Sequence, residues 1–224
     1  MINVNRYVGS FLEALDTFVR DNINELTGQD LVDFYKQLFE RLKREYFGGS
    51  WGFDGVTEFL IFRILFYIGI EKYGEKPEVV KITKNLKGFY FTTSRLILSA
   101  GRPLILGEGK RWIDIMVYEA SKDNIADIHR LRSALEIKAY PQGGVRGIRD
   151  TIERLKNIHK FYGESGLKLA LIVYDYTANK LRSKVWKYLL REPIEDLEPI
   201  PDYIDVIVLS TIKDKIKNIL MNYI

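Results

Sequence analysis

Leu169-Ala170-Leu171-Ile172-Val173-Tyr174 is the segment that most restricts what this chain can become. An unbroken apolar run of strand character has no polar face to offer water. It must be covered on both sides, as a central strand is in a layered α/β domain. Helix-like segments stand on either side of it, from about Val145 to Tyr162 and from Asn179 to Leu190. A further strand, Ile204 to Leu209, and a final helix, Ile212 to Tyr223, complete this half. The expected fold class is therefore α/β, a sheet flanked by helices.

The middle of the chain supplies the rest of the sheet. Val79–Ile82, Phe89–Thr93, Leu104–Leu106, Trp112–Tyr118 and Ala134–Tyr140 read as strands of an antiparallel meander. Before them, Val56–Tyr73 is apolar almost all round, so it should form a buried helix. Residues 4–26 and 29–46 carry apolar side chains at helical spacing, the second segment opening with Thr27-Gly28-Gln29-Asp30 as a cap. The glycine-rich stretch Gly48–Gly55 marks a boundary between an N-terminal helical subdomain, residues 1–50, and a core, residues 51–224.

Composition removes several kinds of chemistry. There is no cysteine, which excludes disulfides and thiolate sites, and the two histidines cannot build a histidine-rich zinc site. The net charge of +4 is compatible with a nucleic-acid partner. Met1–Asn5 lacks a signal pattern, and the longest apolar run, Phe59–Ile70, is interrupted by Arg63 and too short to span a bilayer. A cytoplasmic protein with no membrane contact is the expectation.

Two strands carry ionisable residues inside apolar runs: Asp114 in Trp112–Tyr118, and Glu136 with Lys138 in Ala134–Tyr140. Side chains two apart on a strand share a face, so Glu136 and Lys138 point the same way. Such groups are costly to bury unless they pair or hold a metal. Asp114, Glu136 and the backbone carbonyl of Ile137 together offer the oxygen ligands that Mg²⁺ or Mn²⁺ takes. Lys138 would reach the same point as a positive charge able to orient water or steady a phosphate. The plainer alternative is an edge-strand salt bridge. A second Glu-x-Lys, Glu108-Gly109-Lys110, lies in a glycine turn and is the weaker candidate.

Basic residues cluster around this segment. Lys110 and Arg111 precede the Asp114 strand, while Gln142, Arg146 and Arg149 follow the Glu136 strand, with Arg154, Lys156 and Lys160 further along the same helix. They would hold a nucleic-acid backbone, or else form a solvated helix face. The glycine loop Gln142–Gly147 also invites a nucleotide-binding reading, although Gln142 stands where the first glycine of that pattern would be.

Asp114, then Glu136-Ile137-Lys138, with an upstream helix bearing Glu58, resembles the PD-(D/E)XK nuclease superfamily over about residues 56–175. Ile113 stands where the pattern's name has proline. The resemblance implies a restriction-endonuclease-like core and a metal-dependent deoxyribonuclease. Asp114 and Glu136 would be the metal ligands, Lys138 the residue assisting hydrolysis, and Glu58 a further ligand completing the site. The helical N-terminus and the basic segment after Lys138 look similar to additions on archaeal and viral junction-cleaving or recombination nucleases. A homodimer is expected, from the apolar helices at both chain ends and the need to cut two strands. The long connection from Asp114 to Glu136 has to bring their strands side by side, extending them into a projecting hairpin or loop.

Overall fold

The computed structural model describes residues 4–45, 54–83, 86–106, 109–121, 130–139, 144–163, 166–174 and 184–224. Three helices come first, α1 (Val4–Asn22), α2 (Gly28–Glu45) and α3 (Asp54–Tyr73). Five strands follow, β1 (Glu78–Thr83), β2 (Leu86–Phe91), β3 (Leu96–Leu106), β4 (Gly109–Glu119) and β5 (Leu131–Lys138). The chain continues through α4 (Gly144–Tyr162), β6 (Lys168–Val173), α5 (Lys184–Leu189), β7 (Ile204–Val208) and α6 (Ile216–Leu220).

The strands form one mixed sheet in sequence order, β1 to β7. Pairing is antiparallel from β1 to β5 and parallel from β5 through β6 to β7. The apolar run behaves as its composition demands, with Leu169 to Val173 wholly buried between helical layers. Alternation sorts the side chains of the central strands into two cores. Ile115, Val117, Leu135, Ile137, Ala170 and Ile172 pack with α1, α2, α3 and α6. Met116, Tyr118, Ala134, Leu169, Leu171 and Val173 pack with α4 and α5.

Local chemistry explains several boundaries. At the start of α2 the Asp30 carboxylate accepts from the Thr27 N–H at 2.8 Å, while the Asp30 N–H donates to Thr27 Oγ1 at 3.2 Å. That is a capping box with aspartate in the reaching position. α3 lies so close to β2 that a Cβ on Gly69 would come within 2.4 Å of the Phe91 ring. Leu15, Val19, Leu31 and Tyr35 of α1 and α2 share one core with α3 and the sheet. The apolar faces that suggested a homodimer are thus largely covered within the chain. The boundary expected near residue 50 falls on residues 46–53, outside the described residues.

Two expected elements differ. Instead of a short strand at Leu104, β3 begins at Leu96 and pairs with β4 from Leu96↔Glu119 out to Leu106↔Gly109. Gly101 and Pro103 disguise its continuity in the sequence. This hairpin runs past the last pairing of β4 with β5, Ile115↔Leu135, and past the last pairing of β2 with β3, Phe89↔Leu98. The projecting ribbon is therefore β3–β4, while much of the Asp114-to-Glu136 connection, residues 122–129, lies outside the described residues. The final helix, expected from Ile212, starts only at Ile216. Lys215 first bridges to Thr27, and the Ile216 N–H donates to the Leu26 carbonyl at 2.8 Å. Residues 175–183, where the helix at Asn179 was expected to begin, are also outside the described residues. No described helix is long and apolar enough to cross a membrane.

Candidate functional site

β4 and β5 separate just beyond Ile115↔Leu135, and the ionisable residues gather at that split. Gly101, at φ +62°, sits in β3 between the pairs Ala100↔Ile115 and Arg102↔Ile113, opposite Asp114. That left-handed conformation is one glycine adopts at little cost. Beyond the split, Asp114 replaces the missing ladder bond: its Oδ2 accepts from the Ile137 N–H at 2.7 Å. On the other side of β5, the Tyr174 N–H donates to the Lys138 carbonyl at 2.9 Å. Carbonyls alternate along a strand, so the Ile137 carbonyl faces the β4 side, with Asp114.

Glu136 points to the α4 layer and is 1% exposed. Arg154 grips it with both arms of its fork, Nη2 at 2.7 Å from Oε2 and Nε at 3.2 Å from Oε1. Lys138 Nζ lies 3.2 Å from the same carboxylate and 3.7 Å from Asp114 Oδ2. Thr151, one helical turn before Arg154, is buried, donates to the Gly147 carbonyl at 3.1 Å and accepts from Arg154 Nη2 at 3.2 Å. Two carboxylates and two cations thus form one connected cluster.

The electrostatics follow from this crowding. Burial, and then the negative charge of Glu136, push the Asp114 carboxyl above its ordinary range, against the opposing pull of Lys138 and the Ile137 N–H. For Arg154, burial works against the charge, but the hydrogen bond and charge of Glu136, helped by Asp114, prevail and strengthen its hold on the proton.

The other sequence candidates separate into three groups. Glu58 directly follows the first turn of α3, in the layer opposite to Arg154. Its neighbour Thr57 accepts from the Tyr174 hydroxyl at 3.2 Å, which brings that turn to the end of the sheet where β5 finishes. Among the described residues no three His, Asp or Glu side chains form a group that could hold a metal ion. Arg146 and Arg149 are exposed on the first half of α4. Lys110 and Arg111 occupy register positions opposite Ile105 and Leu104 on the projecting ribbon. Gln142 and Gly143 lie outside the described residues, whereas Gly144 to Gly147 of the glycine loop form the start of α4.

Sequence reasoning placed Arg154 only among the helix's basic residues and missed its contact with Glu136. The signal was its position: Thr151, Ile152, Leu155 and Ile158 of α4 are buried, and Arg154 interrupts that stripe. Lys156, by contrast, is tied up by Glu153 and Glu198. The oxygen donors suit a hard cation, since Asp114, Glu136 and the Ile137 carbonyl are the atoms Mg²⁺ or Mn²⁺ would take. Arg154 holds Glu136 otherwise. No family model matches the chain, and no curated protein is significantly similar to it.

Proposed function

We propose that the chain is a metal-dependent nuclease hydrolysing DNA phosphodiester bonds, built on a restriction-endonuclease-like core. The observation that carries this reading is the convergence of Asp114, Glu136 and Lys138 from two neighbouring strands at the point where those strands part. The order of elements supports it: α3, an antiparallel meander, α4 and the parallel strand β6 follow one another as the resemblance implies. Asp114 and Glu136, with the Ile137 carbonyl, would hold Mg²⁺ or Mn²⁺. A bound cation of this kind acidifies a water and offsets charge on the scissile phosphate. Lys138 steadies the attacking water and the phosphate oxygens with its ammonium group. Arg146 and Arg149 face solvent on the helix that carries Arg154, where they can bind the strand's backbone.

A second reading is favoured by one specific observation, the two-pronged bond from Arg154 to Glu136. If the arginine substitutes permanently for a cation, the chain is a non-catalytic DNA-binding module on the same core. Incubation of linear and branched DNA with Mg²⁺ or Mn²⁺ separates the two. The nuclease reading expects cleavage that Asp114→Asn and Lys138→Ala reduce by about a hundredfold or more. Binding without any cleavage in either metal would overturn it in favour of the module.

A further inference from the structure

Glu136 is the most buried carboxylate of the cluster, and both its oxygens are engaged by a residue that itself reaches solvent. Its side chain is 1% exposed, whereas that of Arg154 is 29% exposed. The guanidinium is thus the outward-facing member of the pair. While the fork remains seated it takes a lone pair of each oxygen and, with Lys138 on Oε2, sets positive charge where a cation would approach, so a divalent ion is disfavoured there. A guanidinium fork matches the spacing of phosphate oxygens as well as it matches a carboxylate. Arg154 therefore has two acceptors of equal geometric merit: Glu136 at rest, and a backbone phosphate when a strand lies against α4. Thr151 Oγ1, 3.2 Å from Nη2, props the fork in the resting position. Lys138 contacts both carboxylates, so the departure of Arg154 would not leave Glu136 without a cation.

We propose that Arg154 is a positioning residue that makes cation binding conditional on nucleic acid. Without DNA the guanidinium occupies Glu136 and a divalent ion binds weakly. A phosphodiester that draws Arg154 onto itself frees Glu136, so DNA and cation strengthen each other's binding reciprocally. This inference rests on the nuclease reading, and it supplies something that reading lacks, a reason for a buried acid to be held by an arginine.

The test is Mn²⁺ binding by the intact chain, followed by electron paramagnetic resonance rather than by cleavage. Titrations run without DNA and with a phosphorothioate duplex, the binding of the duplex alone being subtracted. The wild type should bind Mn²⁺ at least about tenfold more tightly with the duplex, the scale of a lost charge-assisted contact. Arg154→Gln should gain a similar factor without DNA, and the duplex should then add little. Arg154→Lys keeps a positive charge beside Glu136 but loses the fork. It should move Mn²⁺ affinity in the same direction by less, and it serves if the glutamine variant does not fold. Equal Mn²⁺ affinity in the wild type and both variants without DNA, with cleavage intact, would overturn the gate and leave the nuclease reading standing. No Mn²⁺ binding by any form, with or without duplex, together with no cleavage, would overturn both.

Discussion

Replacing Arg154 by Met strips Glu136, whose side chain is 1% exposed in the intact pair, of both bonds from the guanidinium. Removing one partner of a buried ion pair costs about 3–5 kcal/mol, because a charge stays in a low-dielectric site uncompensated. Here Lys138 remains 3.2 Å away and Arg154 was itself partly solvated, which places the expected loss lower, at about 2–3 kcal/mol. Glu136→Gln costs less, about 1 kcal/mol, because the stranded guanidinium can turn to water. The double variant removes both charges together and should lie within about 1 kcal/mol of the wild type. Its stability loss should therefore fall short of the sum of the single losses by about 2 kcal/mol or more. Urea unfolding in EDTA measures all four species, provided the denaturant slope stays constant. Additivity within about 0.5 kcal/mol would refute the claim that these residues act as one buried unit.

Two further outcomes follow from the same structure. The raised Asp114 carboxyl means that the folded chain holds this proton more tightly than the unfolded chain does. Stability is therefore lost as pH rises above the ordinary value of 3.8, and the loss is complete once pH passes the raised folded-state value. In EDTA, Asp114→Asn should gain thermal stability relative to the wild type as pH is raised above 3.8; a pH-independent difference would show that burial does not strain this acid. The second outcome is a pair of substitutions with opposite signs. Gly101→Ala forces a side chain into the left-handed region and should cost about 1–2 kcal/mol, whereas Gly9→Ala inside α1 should gain about 0.5–1 kcal/mol. Chemical denaturation reads both, and equal signs would contradict the backbone described at Gly101.

What the sequence made legible was whatever a local pattern encodes. The two-faced burial of Leu169–Val173 and the buried α3 follow from unbroken apolar runs, and the α2 cap from the spacing of Thr27 and Asp30. The convergence of Asp114 with Glu136 and Lys138 came from treating each acid as an anomaly in its strand. What stayed hidden depends on distant partners. β3 looked interrupted because Gly101 and Pro103 are poor strand residues in isolation, and only pairing with β4 carries the strand past them. The delay of the last helix to Ile216 is set by Leu26 and Thr27, far away in the chain. Arg154 read as one more solvated cation because its partner lies in another element.

The bond from the Ile137 N–H to Asp114 gives one carboxylate two duties. The Oδ2 that closes the sheet's hydrogen-bond ladder belongs to the same rigid, planar group that would meet a ligand. A carboxylate at the end of a free side chain sweeps through its rotamers and must be stilled on binding, at an entropic cost. Anchored to the backbone through one oxygen, Asp114 has already been stilled by folding, and its second oxygen is held in a fixed direction. An alanine at this position would remove that oxygen and also orphan a strand amide. Lost activity in such a variant would mix broken scaffold with missing chemistry, whereas asparagine, which still offers an acceptor to Ile137, separates them.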